Sequence, residues 1–561
     1  MDNSNKFKVL IFYPNEPMVG VTPSNLAYLS ACLKEAGNDV ELFDCSLYES
    51  VRYEPRPDGE EGLQSQKFRQ EKTQDELRTK LGHTKKSPID DYIKLRETNV
   101  HEDFARVVDE YKPDLIAITV VDSTIEFSYD FIESIRGERP PIIMGGVGAT
   151  FSYEKILKSG YIDYVNAGEG EASLPELCER LKNGEDVSDC KNIYLMGEDG
   201  EIIKNPMRPI VDIDELPMPD FTIYEDQRFY RPFMGGVVRM AQMDWDRGCP
   251  YQCSYCAAPA ILAKNRSEKI GNYYRVKTED KIFEEMKFLI KKYNLDFLYI
   301  SSETLLVIKM EKFKRIAERY KKEINLPFWC QSRLDSFTEE RTKLLKEMGC
   351  QSVSVGLEHG NEEVRRKVLR KQLKNEAVYE GFKTLAKYNI RPTINSMMGL
   401  PDETREQVFD TFEINRQISK ILNGNHNLNV FTFVPFSGTA LRRISIEKGY
   451  VDPDAPVSFS FYKESMLDMP SMSKEEITGL EKTAHLYIGL PKSDYPNIEI
   501  AEKDTPKGRA MFDILLTKLK KLREEDEGRM KKMGGQTGAS REEDHLASPM
   551  NEFGGGQRPS Y

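Results

Sequence analysis

Short apolar runs alternate with helix-like stretches from the start of the chain. KVLIFYP (8–14) is almost continuously apolar and rich in β-branched and aromatic residues, the pattern of a strand buried on both faces. NLAYLSACLKEAG (25–37) has helical spacing and closes on Gly37, a C-cap signal. DVELFDC, PDLIAITVV (113–121), PPIIMGG (140–146) and YIDYVNAGEGE (161–171) continue the strand series. Strands that alternate with helices join as parallel crossovers. Residues 1–200 therefore predict an α/β, doubly wound open sheet with flavodoxin-like strand order, whose ligand site lies at the carboxyl ends of the strands.

A second series begins further on. LDFLYI (295–300), LPFWCQSR (326–333), CQSVSVGLEHG (350–360), RPTINSMMGLPDET (391–404) and NLNVFTFVPFSGTAL (427–441) are strand-like, with helical stretches between them. This alternation predicts a second α/β unit over 236–445. NPMRPIVDIDELPMPDF (205–221) is proline-rich without helical period and places an interdomain linker within 201–235. Residues 51–100 are highly charged and read as an insertion in the first sheet, a solvated excursion or a lid. Over 446–525 the pattern is mainly helical. Met511, Leu515, Leu516, Leu519 and Leu522 share one side of a helix, expected to dock on that second unit. The Gly-, Ser- and charge-rich stretch 526–561 is expected to be disordered.

Composition narrows the partners. The chain has 561 residues and a net charge of -12, without a concentrated basic domain, so nucleic acid is not expected as a partner. No apolar run approaches the roughly 20 residues that span a bilayer. The first residues, MDNSNKFKVLIFYP, lack signal-peptide features, so the expected location is cytoplasmic. Nine cysteines in so long a chain do not form a disulfide scaffold.

Three of those cysteines crowd into DWDRGCPYQCSYCAAPA (244–260): Cys249, Cys253 and Cys256. A structural zinc would want four ligands, and the nearest others in sequence are Cys190, Cys330 and His359. Three packed core thiols would suit a regular element, whereas Gly248, Pro250 and Gln252 mark a loop. The remaining reading is an iron–sulfur cluster. A four-iron cluster normally takes four thiolates. With three, one iron keeps a position open for a substrate or cofactor.

This spacing, with Tyr255 just before the last cysteine, resembles the signature of the radical S-adenosylmethionine (SAM) superfamily. The resemblance extends over about 236–445 through SVGLEHGNEEV, MMGLPDET and FTFVPFSGTAL. It implies a partial (β/α)6 radical SAM barrel over 236–445 and a [4Fe-4S] cluster on Cys249, Cys253 and Cys256, with SAM chelating the open iron and cleaved to a 5′-deoxyadenosyl radical. It also implies SAM contacts from Glu303, Arg333, Glu358 and the region of Tyr255. Arg333 reads equally as a structural ion pair. Many members carry Gly-Gly-Glu where this chain has Ser301-Ser302-Glu303. Cys330 and Cys350 read as core residues, and His359 as a polar loop residue.

In the N-terminal part, Pro14, Gly145-Gly146 and Gly168-Glu169-Gly170-Glu171 resemble the cobalamin-binding domain that precedes the barrel in one large subclass. The resemblance implies cobalamin held near Gly145, Gly146, Gly168, Glu169 and Gly170. The Asp-x-His-x-x-Gly loop that supplies a cobalt ligand elsewhere is absent. Residues 15–22 and 121–125 are candidates to line the lower face instead. The implied activity is cobalamin-dependent methylation of an unactivated carbon, with ring closure on a tetrapyrrole-like or lipid substrate as the alternative. A methylthiotransferase or a non-catalytic iron–sulfur or cobalamin sensor ranks below both. Implied partners are a small-molecule, lipid, peptide or tetrapyrrole substrate and an electron donor such as flavodoxin or ferredoxin.

Overall fold

The computed structural model describes residues 6–15, 21–48, 88–234, 236–457 and 465–532. The first sheet contains β1 (Lys8–Tyr13), β2 (Asp39–Asp44), β3 (Leu115–Thr119), β4 (Ile142–Gly145), β5 (Tyr164–Asn166), β6 (Ile193–Met196) and β7 (Ile202–Lys204). Its order is β2-β1-β3-β4-β5-β6-β7. The first five strands are parallel, in the flavodoxin-like order expected from their patterning. β6 and β7 add an antiparallel edge that the alternation of strands and helices did not indicate. Helices Ser24–Glu35, Val100–Tyr111, Ile125–Glu133, Val147–Lys158 and Ser173–Asn183 complete this layer.

The second sheet has the order β16-β15-β14-β13-β12-β9-β8. Its strands are β8 (Tyr230–Phe233), β9 (Gly236–Met243), β12 (Phe297–Ile300), β13 (Phe328–Gln331), β14 (Cys350–Glu358), β15 (Arg391–Met398) and β16 (Asn427–Thr432). From β9 to β16 the strands run parallel, a half-barrel of six, with β8 antiparallel at one edge. Between β9 and β12 a two-stranded ribbon, β10 (Asp246–Arg247) with β11 (Arg275–Val276), flanks the cysteine loop.

One apolar cluster joins the two layers. It runs from Val9 and Ile11 through Leu26 and Phe221 to Ala241, Phe283 and Leu298. The proline-rich stretch is pinned between the layers: the Ile210 amide donates to the Ile270 carbonyl at 2.9 Å and the Val211 amide to Glu169 at 3.0 Å. Of the charged insertion, residues 51–87 lie outside the described residues. Its end packs down, with Ile89 and Ile93 against Leu47 and, beyond them, Tyr230.

The C-terminal helices Lys474–Gly489, Tyr495–Glu502 and Pro506–Lys532 cover the barrel near β15 and β16. Leu515, Leu516 and Leu519 are buried there, and Tyr487 stacks on Phe412 at 5.5 Å. The last helix continues past residue 525, where disorder was expected. Glu527, Arg529, Met530, Lys531 and Lys532 are good helix formers and outnumber Asp526 and Gly528 there, so the summed propensity favours helix. Residues 533–561 of the expected tail lie outside the described residues.

His485 sits in this layer with Nε2 shielded from solvent and lacking a hydrogen-bond partner among the described residues. Burial pushes its pKa down to about 3, and Arg523 adds to the effect. The unfolded chain takes up a proton near pH 6.5, roughly the free histidine value, while the folded chain does not. Neutral His485 thus contributes stability above that pH, and the contribution is lost as the pH falls toward the folded-state value. Thermal melts at about pH 7.5 and about pH 5 are expected to show a lower Tm at the acid end. His485→Leu is expected to shrink that difference.

Candidate functional site

The candidate residues converge at the carboxyl ends of both sheets. Ser254, in the cysteine loop, donates from its amide to Leu369 at 3.0 Å and from its hydroxyl to Val368 at 2.6 Å. Its carbonyl accepts from Leu441 at 3.1 Å. The loop is thereby held against segments that follow β14 and β16. Cys249, Cys253 and Cys256 are half-buried, and the other cysteines are buried. Burial, with Glu303 adding to it, pushes the Cys249 thiol up to about 12 and the Cys256 thiol well above its ordinary value. Among the described residues no three His, Cys, Asp or Glu side chains converge as ligands of a single ion.

Glu358 ends β14 at a bulge, with a left-handed φ of 68°, which is uncommon outside glycine. Its Oε1 accepts from the Tyr255 hydroxyl and from Lys371 Nζ, each at 2.9 Å. Lys371 also donates to the Gly356 carbonyl at 2.7 Å. The carboxylate folds back over Gly356, where an added Cβ would lie 1.9 Å from Oε1. The Gly-x-Glu phrase is therefore a packing requirement: the glycine leaves room for the acid two residues on. Tyr255 ties the cysteine loop to that turn.

Arg333 follows β13. It forms two hydrogen bonds to Asp335, at 3.0 and 2.8 Å, and lies 3.9 Å from the Tyr251 ring centroid. Arg333 is thus ion-paired with Asp335, and the stacking keeps its guanidinium against the cysteine loop. Glu303 lies near Cys249 and Cys256, close enough to affect both thiols. In place of the family's glycines, Ser301 hydrogen-bonds Asp244, whose other oxygen accepts from Ser24 of the first layer at 2.5 Å.

His359 is fully buried, unlike the polar loop residue its sequence position indicated. The Asn361 amide donates to its Nδ1 at 2.9 Å, so Nε2 carries the proton shared with Glu403 at 2.6 Å. Glu403 also accepts from the amides of Gly399 and Leu400. The acid in the MMGLPDET phrase thus shapes its own turn.

Gly145, Gly146, Gly168, Glu169 and Gly170 line one cavity of about 1210 Å³, counting its open mouth. It lies at the carboxyl edge of the first sheet, and Ile261, Lys264, Asn265 and Tyr273 close it from the barrel side. Gly146 has φ 100°, and a Cβ there would meet the Val120 carbonyl oxygen at 2.5 Å, so only glycine lets that turn pass under the cavity. Thr150 donates to the Gly146 carbonyl at 2.9 Å and accepts from the Gly168 amide at 3.0 Å, locking the two glycine turns together.

Residues 121–125, candidates for the lower face, are not among the lining residues. Asp122 instead accepts from the Ser437 amide at 2.9 Å, tying the first layer to the turn after β16. Of the candidates at 15–22, residues 16–20 lie outside the described residues, and Asn15, Val21 and Thr22 are not in the lining.

The sequence reading passed over the charged residues that join the layers. Arg247 is buried and pairs with Glu171 at 2.6 Å and with Glu169 at 3.8 Å. Burial works against its charge, but Glu171 and Glu169 more than offset this and hold its pKa above the ordinary value. Arg275 pairs with Glu169 and donates to the Val211 carbonyl at 2.6 Å. Lys277 Nζ meets Glu285 at 2.5 Å and Tyr28 Oη at 2.6 Å. Their one sequence signal is a run of charges beside apolar Trp245 and Val276, an arrangement that fits an exposed loop equally well.

Comparison with known proteins defines the class. A profile described as the B12 binding domain matches residues 90–178, and one described as the Radical SAM superfamily matches residues 246–414. The chain thus carries a B12-binding domain followed by a radical SAM domain. This pairing implies cobalamin, a [4Fe-4S] cluster and SAM as its cofactors. An uncharacterized methyltransferase of Pyrococcus horikoshii is 24% identical over 409 residues, covering 71% of this chain and 83% of that protein. The anaerobic magnesium-protoporphyrin IX monomethyl ester cyclase of Rubrivivax gelatinosus is 24% identical over 357 residues, or 62% of this chain, which spans 61% of the cyclase. The structure of the cobalamin-dependent S-adenosylmethionine radical enzyme OxsB, with aqua-cobalamin and S-adenosylmethionine bound, shares the fold. Its TM-score is 0.60 at 15% identity, over 96% of this chain and 74% of that one.

Removing Lys371 would leave the buried Glu358 carboxylate without its cation. Lys371→Met is expected to destabilise the protein by about 3–5 kcal/mol. Lys371→Arg is expected to retain most of that stability, as read from denaturant unfolding.

Proposed function

We propose that this protein is a cobalamin-dependent radical SAM methyltransferase acting on an unactivated carbon. The observation that carries the reading is a shared wall. Helix Ala258–Ser267 follows Cys256 directly, and its Ile261, Lys264 and Asn265 close the cavity lined by Gly145 and Gly168. A cofactor in that cavity and a cluster on the loop would both adjoin this helix.

The residues present suit the implied groups. Cys249, Cys253 and Cys256 form a three-thiol donor set on one loop, and burial raises the Cys249 and Cys256 thiols, which metal binding would deprotonate. Glu303, Glu358 and Arg333 are the polar side chains at the adjoining strand ends that would receive the amino and carboxylate groups of SAM. Gly145 and Gly146 leave the cavity floor bare for close approach of a large cofactor. When bound, the cluster and SAM supply a hydrogen-abstracting 5′-deoxyadenosyl radical, and methylcobalamin supplies the methyl group. The chain's own residues hold and orient these groups and keep water out.

Methyl transfer is favoured because the Pyrococcus relative named as a methyltransferase aligns over more of both chains than the cyclase does. Ring closure remains the second reading, and a methylated product without a new ring would separate the two. The substrate is taken to be a small molecule, and the electron donor a flavodoxin or ferredoxin.

The test is anaerobic reconstitution with iron, sulfide and hydroxocobalamin. The wild type is expected to hold about four irons per chain and about one cobalt, and to release 5′-deoxyadenosine from SAM on reduction. Cys256→Ala is expected to abolish that release and lower iron while keeping cobalt. At Gly145 an added Cβ meets only the Asn166 Cβ, at 3.6 Å, so Gly145→Val should fold. It is expected to lower cobalt and leave iron unchanged. Four irons without cobalt in the wild type would retain the SAM chemistry and remove methyl transfer. A loaded cluster that never cleaves SAM would point to a sensor.

A further inference from the structure

The turn that floors the cofactor cavity is gripped by the strand that leads into the cysteine loop. Arg247 stands opposite Arg275 across the β10–β11 ribbon, so two guanidinium groups are presented side by side. Glu169 and Glu171, two residues apart, meet them from the other layer. The four side chains are between 5% and 15% exposed, so the charges are set against each other and not against water. Val211 of the linker is drawn in at both its amide and its carbonyl. One end of this lattice is the cavity, since Gly168, Glu169, Gly170 and Glu171 all line it. The other end is Arg247, two residues before Cys249.

We infer that the Glu169/Glu171–Arg247/Arg275 lattice is a register lock that sets the position of the cofactor cavity relative to the cysteine loop, with Arg275 as a positioning residue. The inference rests on the proposed function for what occupies the two ends, but the lock itself is a property of the chain. Apolar contacts alone allow two layers to slide, whereas buried ion pairs that span them favour the arrangement in which each charge meets its partner. Arg275 lies outside the implied cluster and SAM ligands, so its replacement perturbs spacing without removing a ligand.

Two measurements on full-length Arg275→Gln test this. The first uses reconstituted enzyme in which iron and cobalt match the wild type, and reads the magnetic coupling between the reduced cluster and cob(II)alamin by pulsed electron paramagnetic resonance. The expected result is loss of the single well-defined coupling, with partial recovery in Arg275→Lys. The second is hydrogen exchange of the protein without cofactors. The amides of Gly168–Glu171 and of Asp246–Cys249 are expected to exchange roughly 100-fold faster, and together. Wild-type coupling and wild-type exchange in Arg275→Gln would overturn the lock. If the wild type binds no cobalt, the methyltransferase reading fails and the exchange result decides the lock alone. If Arg275→Gln does not fold, both measurements are made on Arg275→Lys, where weaker joint protection supports the lock and unchanged protection overturns it.

Discussion

A guanidinium taken out of water destabilises a fold by several kcal/mol unless carboxylates meet it. That constraint governs how the two sheets of this protein sit together. Arg247 and Arg275 come from the half-barrel, Glu169 and Glu171 from the first layer, and neither pair is satisfied until the layers dock in one orientation. Tyr28, Lys277 and Glu285 extend the same seam away from the cavity, and Ser24, Asp244 and Ser301 extend it toward β9 and β12. The apolar cluster shared by the layers supplies the non-directional attraction. The buried charges choose the angle.

Given that docking, the chemistry collects where parallel strands end. In the first sheet the order changes direction between β1 and β3, which opens a crevice at the carboxyl edge. In the half-barrel, Ser301–Glu303, Arg333 and Glu358 occupy successive strand ends around the cysteine loop. Several residues that resemble ligands in sequence are bound to protein partners here. Glu358 is held by Tyr255 and Lys371, Arg333 by Asp335, and Glu169 by Arg275. Such partners preorganise a polar side chain, so that little ordering is left when a cofactor arrives.

The half-barrel leaves β8 and β16 as edges rather than closing. Helix Lys474–Gly489 covers part of the β16 side, and the resulting core of Phe412, Leu480 and Tyr487 steadies the strands that carry the last two turns of the site. The first layer reaches the same region through Asp122 and Ser437. The site is therefore braced from both sides.

Much of this was legible along the chain. The parallel strands announced themselves as apolar runs between helical stretches, because a strand buried on both faces has no polar face to show. The three-cysteine loop and the glycine turns stood out because metal ligation and close backbone approach each demand a particular residue type at a particular spacing. The antiparallel β6–β7 edge and the β10–β11 ribbon escaped notice, being too short to carry a period. The burial of His359 escaped for a related reason, since its partner Glu403 lies on the next strand's turn. Local residue identity thus determined the elements, the cofactor classes and the candidate ligands. Which carboxylate meets which cation was decided only by tertiary structure, because an ion pair between residues more than a hundred positions apart, such as Glu169 and Arg275, exists only after two layers have packed at one angle.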